Sequence, residues 1–164
     1  MGRASCAACA PGDSALVVGC GGVGSAIAAS LAAAGVDRLA LYDIDMAACQ
    51  RLAARLAHHY PALRVAPGQN DPAGFDVVVN ATALGMKAGD PMPMDVNRIS
   101  PDAFVGEVVL KAEITPFLAA VKARGCRYQV GTDMLFEQIP AYLSWFGLPT
   151  TDAATLRRLA RIAY

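Results

Sequence analysis

Residues 15–43, ALVVGCGGVGSAIAASLAAAGVDRLALYD, constrain this chain more than any other stretch. An apolar run leads into a glycine cluster, an alanine-rich segment of helical length, and a second apolar run ending in a carboxylate. The cluster Gly19-Cys20-Gly21-Gly22-Val23-Gly24 fits G-x-G-x-x-G. In that pattern the first glycine allows a tight turn and the second lets a pyrophosphate approach the backbone. The third lets the following helix pack closely on the strand, and the helix N-terminus then aims free N–H groups at the anion. Asp43 follows at the interval expected of an acid that binds ribose hydroxyls. The stretch therefore predicts a strand, a phosphate-binding turn, a helix and a second strand, with a dinucleotide on the turn.

The rest of the chain alternates in the same way. Strands are expected at 15–20, 38–43, 63–66, 75–82, 104–110 and 127–130. Helices are expected at 22–34 and 46–59, with a short one near 95–99. Thr115 and Pro116 then open a helix as N-cap and first-turn proline, closing at Gly125. A further helix is capped by Asp133, carries a stripe of Leu135, Ile139, Leu143 and Phe146, and should kink at Pro140. A last helix is expected at 151–162. Residues 67–74 are too few for a full crossover helix. This order predicts an α/β fold: a three-layer, Rossmann-like, doubly wound parallel sheet of about six strands with right-handed crossovers. Residues 1–14 read as a flexible leader and 15–164 as a dinucleotide-binding domain.

Composition narrows the partners. Fourteen basic and fourteen acidic residues cancel, so nothing favours nucleic acid or an anionic membrane. No apolar run reaches the roughly 18 residues of a spanning helix, and the N-terminus lacks the apolar core of a signal peptide. The five cysteines are odd in number and scattered. Cys6 and Cys9 form C-x-x-C without a second pair or a histidine at zinc spacing, so no metal site is expected and the thiols read as reduced and cytoplasmic. His58 and His59 fall at a helix end, where they complement its dipole.

Three further blocks carry a resemblance. VVNATALGM (78–86) resembles the N-A-T-x-x-G-M segment of shikimate and quinate dehydrogenases. EVVLKAEITPFL (107–118) is similar to their D-x-V-Y-x-P-x-x-T-P-x-L block, and GTDMLFEQ (131–138) to their G-x-x-M-L-x-x-Q. With the glycine turn, the resemblance runs from about residue 15 to residue 147. It implies that Gly19, Cys20, Gly21, Gly22 and Val23 hold the pyrophosphate, with Asp43 and Ile44 at the adenosine ribose. Asn80, Ala81, Thr82 and Ala83 would lie along the cofactor, and Val108, Gly131 and Met134 would bracket the nicotinamide. Leu110 and Gln138 would face the substrate, a small cyclic hydroxy acid.

The departures fall mostly on the substrate side. Glu107 stands where the family has Asp, Leu110 where it has Tyr, and Ala112 where it has Pro. Relatives that use NADP carry N-R-T after the second strand, whereas this chain has Asp43-Ile44-Asp45. Two carboxylates repel a 2′-phosphate, so NAD is expected over NADP. In the family the hydroxyl proton is taken by a Lys and an Asp of an N-terminal substrate domain, which the 14 residues before the first strand do not supply. The expectation is a cofactor half that is inactive alone and works with a separate catalytic domain or in a homodimer; the alternative is a non-catalytic NAD-binding module that docks a partner. Lys87 and Lys111, at the same sheet edge, read as solvated. Met86, Met92, Met94 and Leu135 are expected to form an exposed apolar edge.

Overall fold

A computed structural model describes residues 9–87 and 89–162. Cys6, and with it the C-x-x-C reading and most of the leader, lies outside the described residues. What is described of the leader is tied down: the Gly12 amide donates to Gly35 O at 3.0 Å, and Asp37 N to Asp13 O at 2.9 Å.

Six parallel strands form one sheet: β1 (Ser14–Val18), β2 (Arg38–Tyr42), β3 (Arg64–Pro67), β4 (Val77–Asn80), β5 (Phe104–Glu107) and β6 (Arg127–Gln129). Their order is β3-β2-β1-β4-β5-β6, that of a dinucleotide-binding sheet, with the reversal of winding between β1 and β4. The helices are α1 (Gly22–Ala34), α2 (Met46–His59), α3 (Pro116–Ala123), α4 (Gly131–Trp145) and α5 (Ala153–Leu159), with one 3-10 turn at Val96–Arg98. Among the described residues, no helix is long and apolar enough to cross a membrane.

β1 shows why the sequence gives three layers. Side chains alternate across a strand, so Ala15 and Val17 enter one apolar cluster while Leu16 and Val18 enter the other. The first cluster joins them to Leu31 of α1 and to Leu52 and Leu56 of α2. The second joins them to Phe117, Leu118 and Val121 of α3. Covered on both faces, β1 has to be an unbroken apolar run. Asp45 caps α2 by accepting from Ala47 N and Ala48 N, and Thr115 caps α3 by accepting from Leu118 N.

Several expectations need correction. Pairing in β4 spans only Val77–Asn80, and β5 ends at Glu107, so Val108 and Leu110 lie beyond the strand. Asp133 does not cap α4. The helix starts at Gly131 with Val130 as N-cap, leaving Asp133 in the first turn. As expected, Pro140 lies inside the helix. Its apolar stripe is not core: only Gly131 and Thr132 are buried, and Phe146 is 73% exposed. α5 is shorter than expected because Asp152 caps it through Thr155 N. Met94 is buried in the second cluster, whereas Met86, Met92 and Leu135 are exposed.

Candidate functional site: a cleft at the carboxyl edge of the sheet

The strand register brings the site together. Val18 pairs with Tyr42 on one side and with Asn80 on the other, and Asn80 pairs with Glu107. Four strands thus end level, and the chain beyond each continues the ladder by one bond. Gly19 N donates to Tyr42 O at 2.7 Å, Ala81 N to Val18 O at 2.7 Å, and Val108 N to Asn80 O at 3.2 Å. Ligands of open α/β sheets bind outside the carboxyl ends where the winding reverses, and here that crevice lies over β1 and β4.

The glycines of the turn divide into two kinds. Gly19 has φ +105°, and a Cβ there would stand 2.7 Å from the backbone of Ala81. A Cβ on Gly24 would stand 1.8 Å from Gly19 O, so these two glycines serve the turn and the packing of α1 on it. Gly21 and Gly22 instead face open space, with nothing within 4 Å of an added Cβ. Gly21 is the N-cap of α1 and provides no side-chain cap, and no acidic side chain occupies the first turn. Exposed Val23 completes this rim. A cradle open at Gly21 and Gly22 and positive at a helix start fits the pyrophosphate of a dinucleotide.

Asp43 lies at the end of β2 beside this turn. Its Oδ2 accepts from Cys20 N at 2.7 Å and its Oδ1 from Asp45 N at 3.0 Å. The carboxylate therefore shapes the turn, while each oxygen keeps a lone pair for a further donor. Ile44 next to it is 95% exposed. The cleft in front, about 590 Å³, is lined by Cys20, Gly21, Gly22, Ala48, Arg51 and Arg55. Sequence reasoning missed the two arginines. They stand one helical turn apart on α2, a spacing visible in the sequence, but only the fold shows that their face meets the glycine turn. Arg51 also reaches Asp45 at 3.5 Å across solvent.

Behind the cleft lies a buried polar cluster. Asn80 is fully buried, and its Nδ2 donates to Glu107 Oε1 at 2.8 Å and to Leu84 O at 3.2 Å. Its Oδ1 accepts from Thr82 N at 3.1 Å and from Thr82 Oγ1 at 2.7 Å. Thr115 Oγ1 donates to Glu107 Oε2 at 2.5 Å. Burial pushes the Glu107 carboxyl above the usual carboxylate range, against the pull of the Thr115 and Asn80 hydrogen bonds. Asn80 and Thr82 thus spend their side chains on each other and on Glu107. Ala81 in the turn after β4 is half-buried and Ala83 is exposed.

The segment after β5 meets α4 by close approach. A Cβ on Gly131 would stand 2.3 Å from Val109 O and 2.9 Å from Val108 C, so only glycine lets α4 start against this segment. Met134 and Gln138 follow on α4, both half-buried, and Leu110 is 44% exposed. Lys87 and Lys111 are exposed. A second cleft of about 470 Å³, lined by Ile114, Tyr128, Phe136 and Arg157 among others, lies between α4 and α5. There Arg157 bridges Asp133 and Glu137, both at 3.0 Å. Among the described residues, no group of three or more His, Cys, Asp or Glu could hold a metal ion.

Comparison with known proteins agrees with this geometry. A profile of the ThiF family matches residues 13–59, the strands and helices around the glycine turn. A shikimate dehydrogenase (NADP(+)) of Azorhizobium caulinodans is 37% identical over 151 residues, covering 88% of this chain and 52% of that protein. A quinate/shikimate dehydrogenase (NAD(+)) of Corynebacterium glutamicum is 37% identical over 142 residues, covering 83% of this chain and 50% of that protein. Among solved structures, quinate dehydrogenase from Corynebacterium glutamicum in complex with NAD superposes with a TM-score of 0.80 at 34% identity. That match covers 91% of this chain and 55% of the other. The chain spans about half the length of the curated relatives it matches. By sequence and by fold, the chain is similar over that half to shikimate and quinate dehydrogenases, with a parallel, Rossmann-like α/β architecture.

Proposed function

We propose that this chain binds NAD in the cleft over β1 and β4, as the cofactor-binding part of a shikimate/quinate dehydrogenase-type oxidoreductase. When bound, the nicotinamide would exchange a hydride with a secondary alcohol of a cyclic hydroxy acid. One observation carries the reading: Gly21 and Gly22 leave a cradle open at the N-terminal start of α1, level with the turns after β2, β4 and β5. In this reading Gly19, Cys20, Gly21, Gly22 and Val23 border the pyrophosphate, with Arg51 and Arg55 beside it. Asp43 and Ile44 border the adenosine ribose. Ala81, Thr82 and Ala83 line the middle, with Asn80 holding that turn from behind. Val108, Gly131 and Met134 flank the nicotinamide, and Leu110 and Gln138 face the substrate.

The preference for NAD rests on charge. Relatives described with NADP and with NAD are equally similar to this chain, at 37% identity each, so overall likeness does not choose between the cofactors. Asp43 and Asp45 support NAD, since two carboxylates at the ribose disfavour a 2′-phosphate. We assign the group that takes the hydroxyl proton to a separate catalytic domain, in the part of the relatives' length outside the match, since Lys87 and Lys111 are exposed and read as solvated. The odd, scattered set of cysteines supports a cytoplasmic location as part of this reading.

A second reading, a non-catalytic NAD-binding module that docks a partner, is favoured by one observation: the outer face of α4, with Tyr142, Trp145 and Phe146, is exposed. Assays with shikimate and quinate separate the two. The dehydrogenase reading expects NAD binding by this chain alone, and reduction of NAD once a shikimate dehydrogenase substrate domain is supplied in trans or by fusion. Binding without turnover in every such combination would favour the docking module. Turnover by the unaided chain would overturn the placement of the proton acceptor elsewhere.

A further inference from the structure

Two buried thiols meet where the glycine turn packs against α2. Cys20 Sγ lies 3.3 Å from Cys49 Sγ, and both residues are buried. Cys20 is the second residue of the glycine turn and lines the cleft, while Cys49 sits in the first turn of α2 on its inner face. Cys20 is also held by its backbone, since its N–H donates to Asp43 Oδ2 at 2.7 Å. Apolar packing alone asks for no second sulfur here, and small apolar residues would fill the same space.

We propose that Cys20 and Cys49 are an oxidation site, at which a peroxide joins the glycine turn to α2 through a disulfide. That the bond closes a cofactor cleft rests on the reading above; that it forms does not. The chemistry balances with a hydroperoxide as oxidant. One thiolate attacks the peroxide oxygen, giving a sulfenic acid and, from hydrogen peroxide, water. The second sulfur then displaces that hydroxyl as a second water. Two thiols lose one electron each, the peroxide gains two, and the thiol protons leave in water.

The consequences follow from distance and burial. A disulfide needs its sulfurs about 2.05 Å apart, so the two sulfurs must close by roughly 1.2 Å, a shift shared between side-chain rotation and movement of the turn towards α2. Gly21 and Gly22 are continuous with Cys20, and Ala48 with Cys49, so the bond narrows the cleft between them. Burial above all, together with Cys49 and the Asp43 charge, pushes the Cys20 thiol up to about 12. The Cys20 thiol therefore stays protonated at neutral pH and reacts slowly, because the thiolate is the nucleophile. A ligand over Cys20 should slow the reaction further.

The test treats the reduced full chain with a modest excess of hydrogen peroxide, maps its disulfides by non-reducing peptide mass spectrometry, and titrates NAD before and after. The expected map shows a Cys20–Cys49 linkage, formed more slowly with NAD present. NAD affinity is expected to fall by about tenfold or more, from strain stored in the turn, and to return with dithiothreitol. Cys49→Ala should bind NAD as the parent does and keep that affinity after peroxide. A map lacking the linkage, or joining other cysteines only, overturns the proposal without recourse to any variant. A linkage that leaves NAD affinity unchanged overturns its effect on the cleft. If the reduced chain binds no dinucleotide, the functional reading fails, and the map by itself still supports or overturns the cross-link.

Discussion

The two ends of this molecule use similar apolar patterns to opposite effect. In α2, Cys49, Leu52, Ala53 and Leu56 form a stripe that is buried against the sheet. In α4, Leu135, Ile139, Leu143 and Phe146 also form a stripe at helical spacing, yet no residue of it is buried. Helical periodicity says that a face is apolar. It does not say that this chain covers the face. Around β1 and α2 the cover is the chain's own sheet, whereas α4 meets it only at Gly131 and Thr132. Stability should therefore concentrate at the glycine-turn end and fall away along α4.

Substitutions can break that contrast or sharpen it. The largest effect is expected from Gly24→Ala, where a methyl has no room beside Gly19 O. A loss of about 4 kcal/mol or outright misfolding should appear in urea denaturation, since the backbone must move. Leu16→Ala opens a cavity in the fully buried second cluster and should cost about 3 kcal/mol in the same assay. Gly21→Ala meets nothing, so its stability should hold while NAD affinity falls by about tenfold, as the methyl takes the space left for phosphate. Equal losses of stability for Gly21→Ala and Gly24→Ala would erase the division between the two kinds of glycine.

Glu107 gives a smaller effect with a definite sign. Its folded-state pKa is raised by burial, so the folded state holds its proton more tightly than the unfolded chain does. Its contribution to stability is fully present below the ordinary glutamate range and is lost as pH rises through the raised value. Glu107→Gln should remove this component, and the difference between the two chains in urea midpoint across that window reads it directly. A difference of opposite sign would mean that the Asn80 and Thr115 hydrogen bonds outweigh burial. Trp145→Ala should have the smallest effect, within about 0.5 kcal/mol in urea denaturation, because the ring is 73% exposed. A loss comparable with Leu16→Ala would show that α4 is covered after all.

Legibility follows the same division. The extents of α1 and α2 can be read from the sequence because glycine, aspartate and proline mark their ends. The doubly covered β1 can be read because it has no polar residue between Ala15 and Val18. The end of β5 cannot be read, because Val108, Val109 and Leu110 continue the apolar run after the ladder stops. Val109 is buried outside any strand, and hydrophobicity alone does not distinguish the two cases. In the site, the roles of Gly19 and Gly24 follow from the motif. The inward turn of Asn80 does not, because its partner Glu107 is 27 residues away and meets it only through strand register. Arg51 and Arg55 were visible as a pair, but their approach to the glycine turn depends on how α2 packs.

The cofactor cleft itself is tested most directly by calorimetric titration of the reduced chain with NAD and with NADP in the same buffer. The expected result is one site of micromolar affinity for NAD, with NADP weaker by about tenfold or more because Asp43 and Asp45 oppose its extra phosphate. Tighter binding of NADP, or heat from neither dinucleotide, would contradict it.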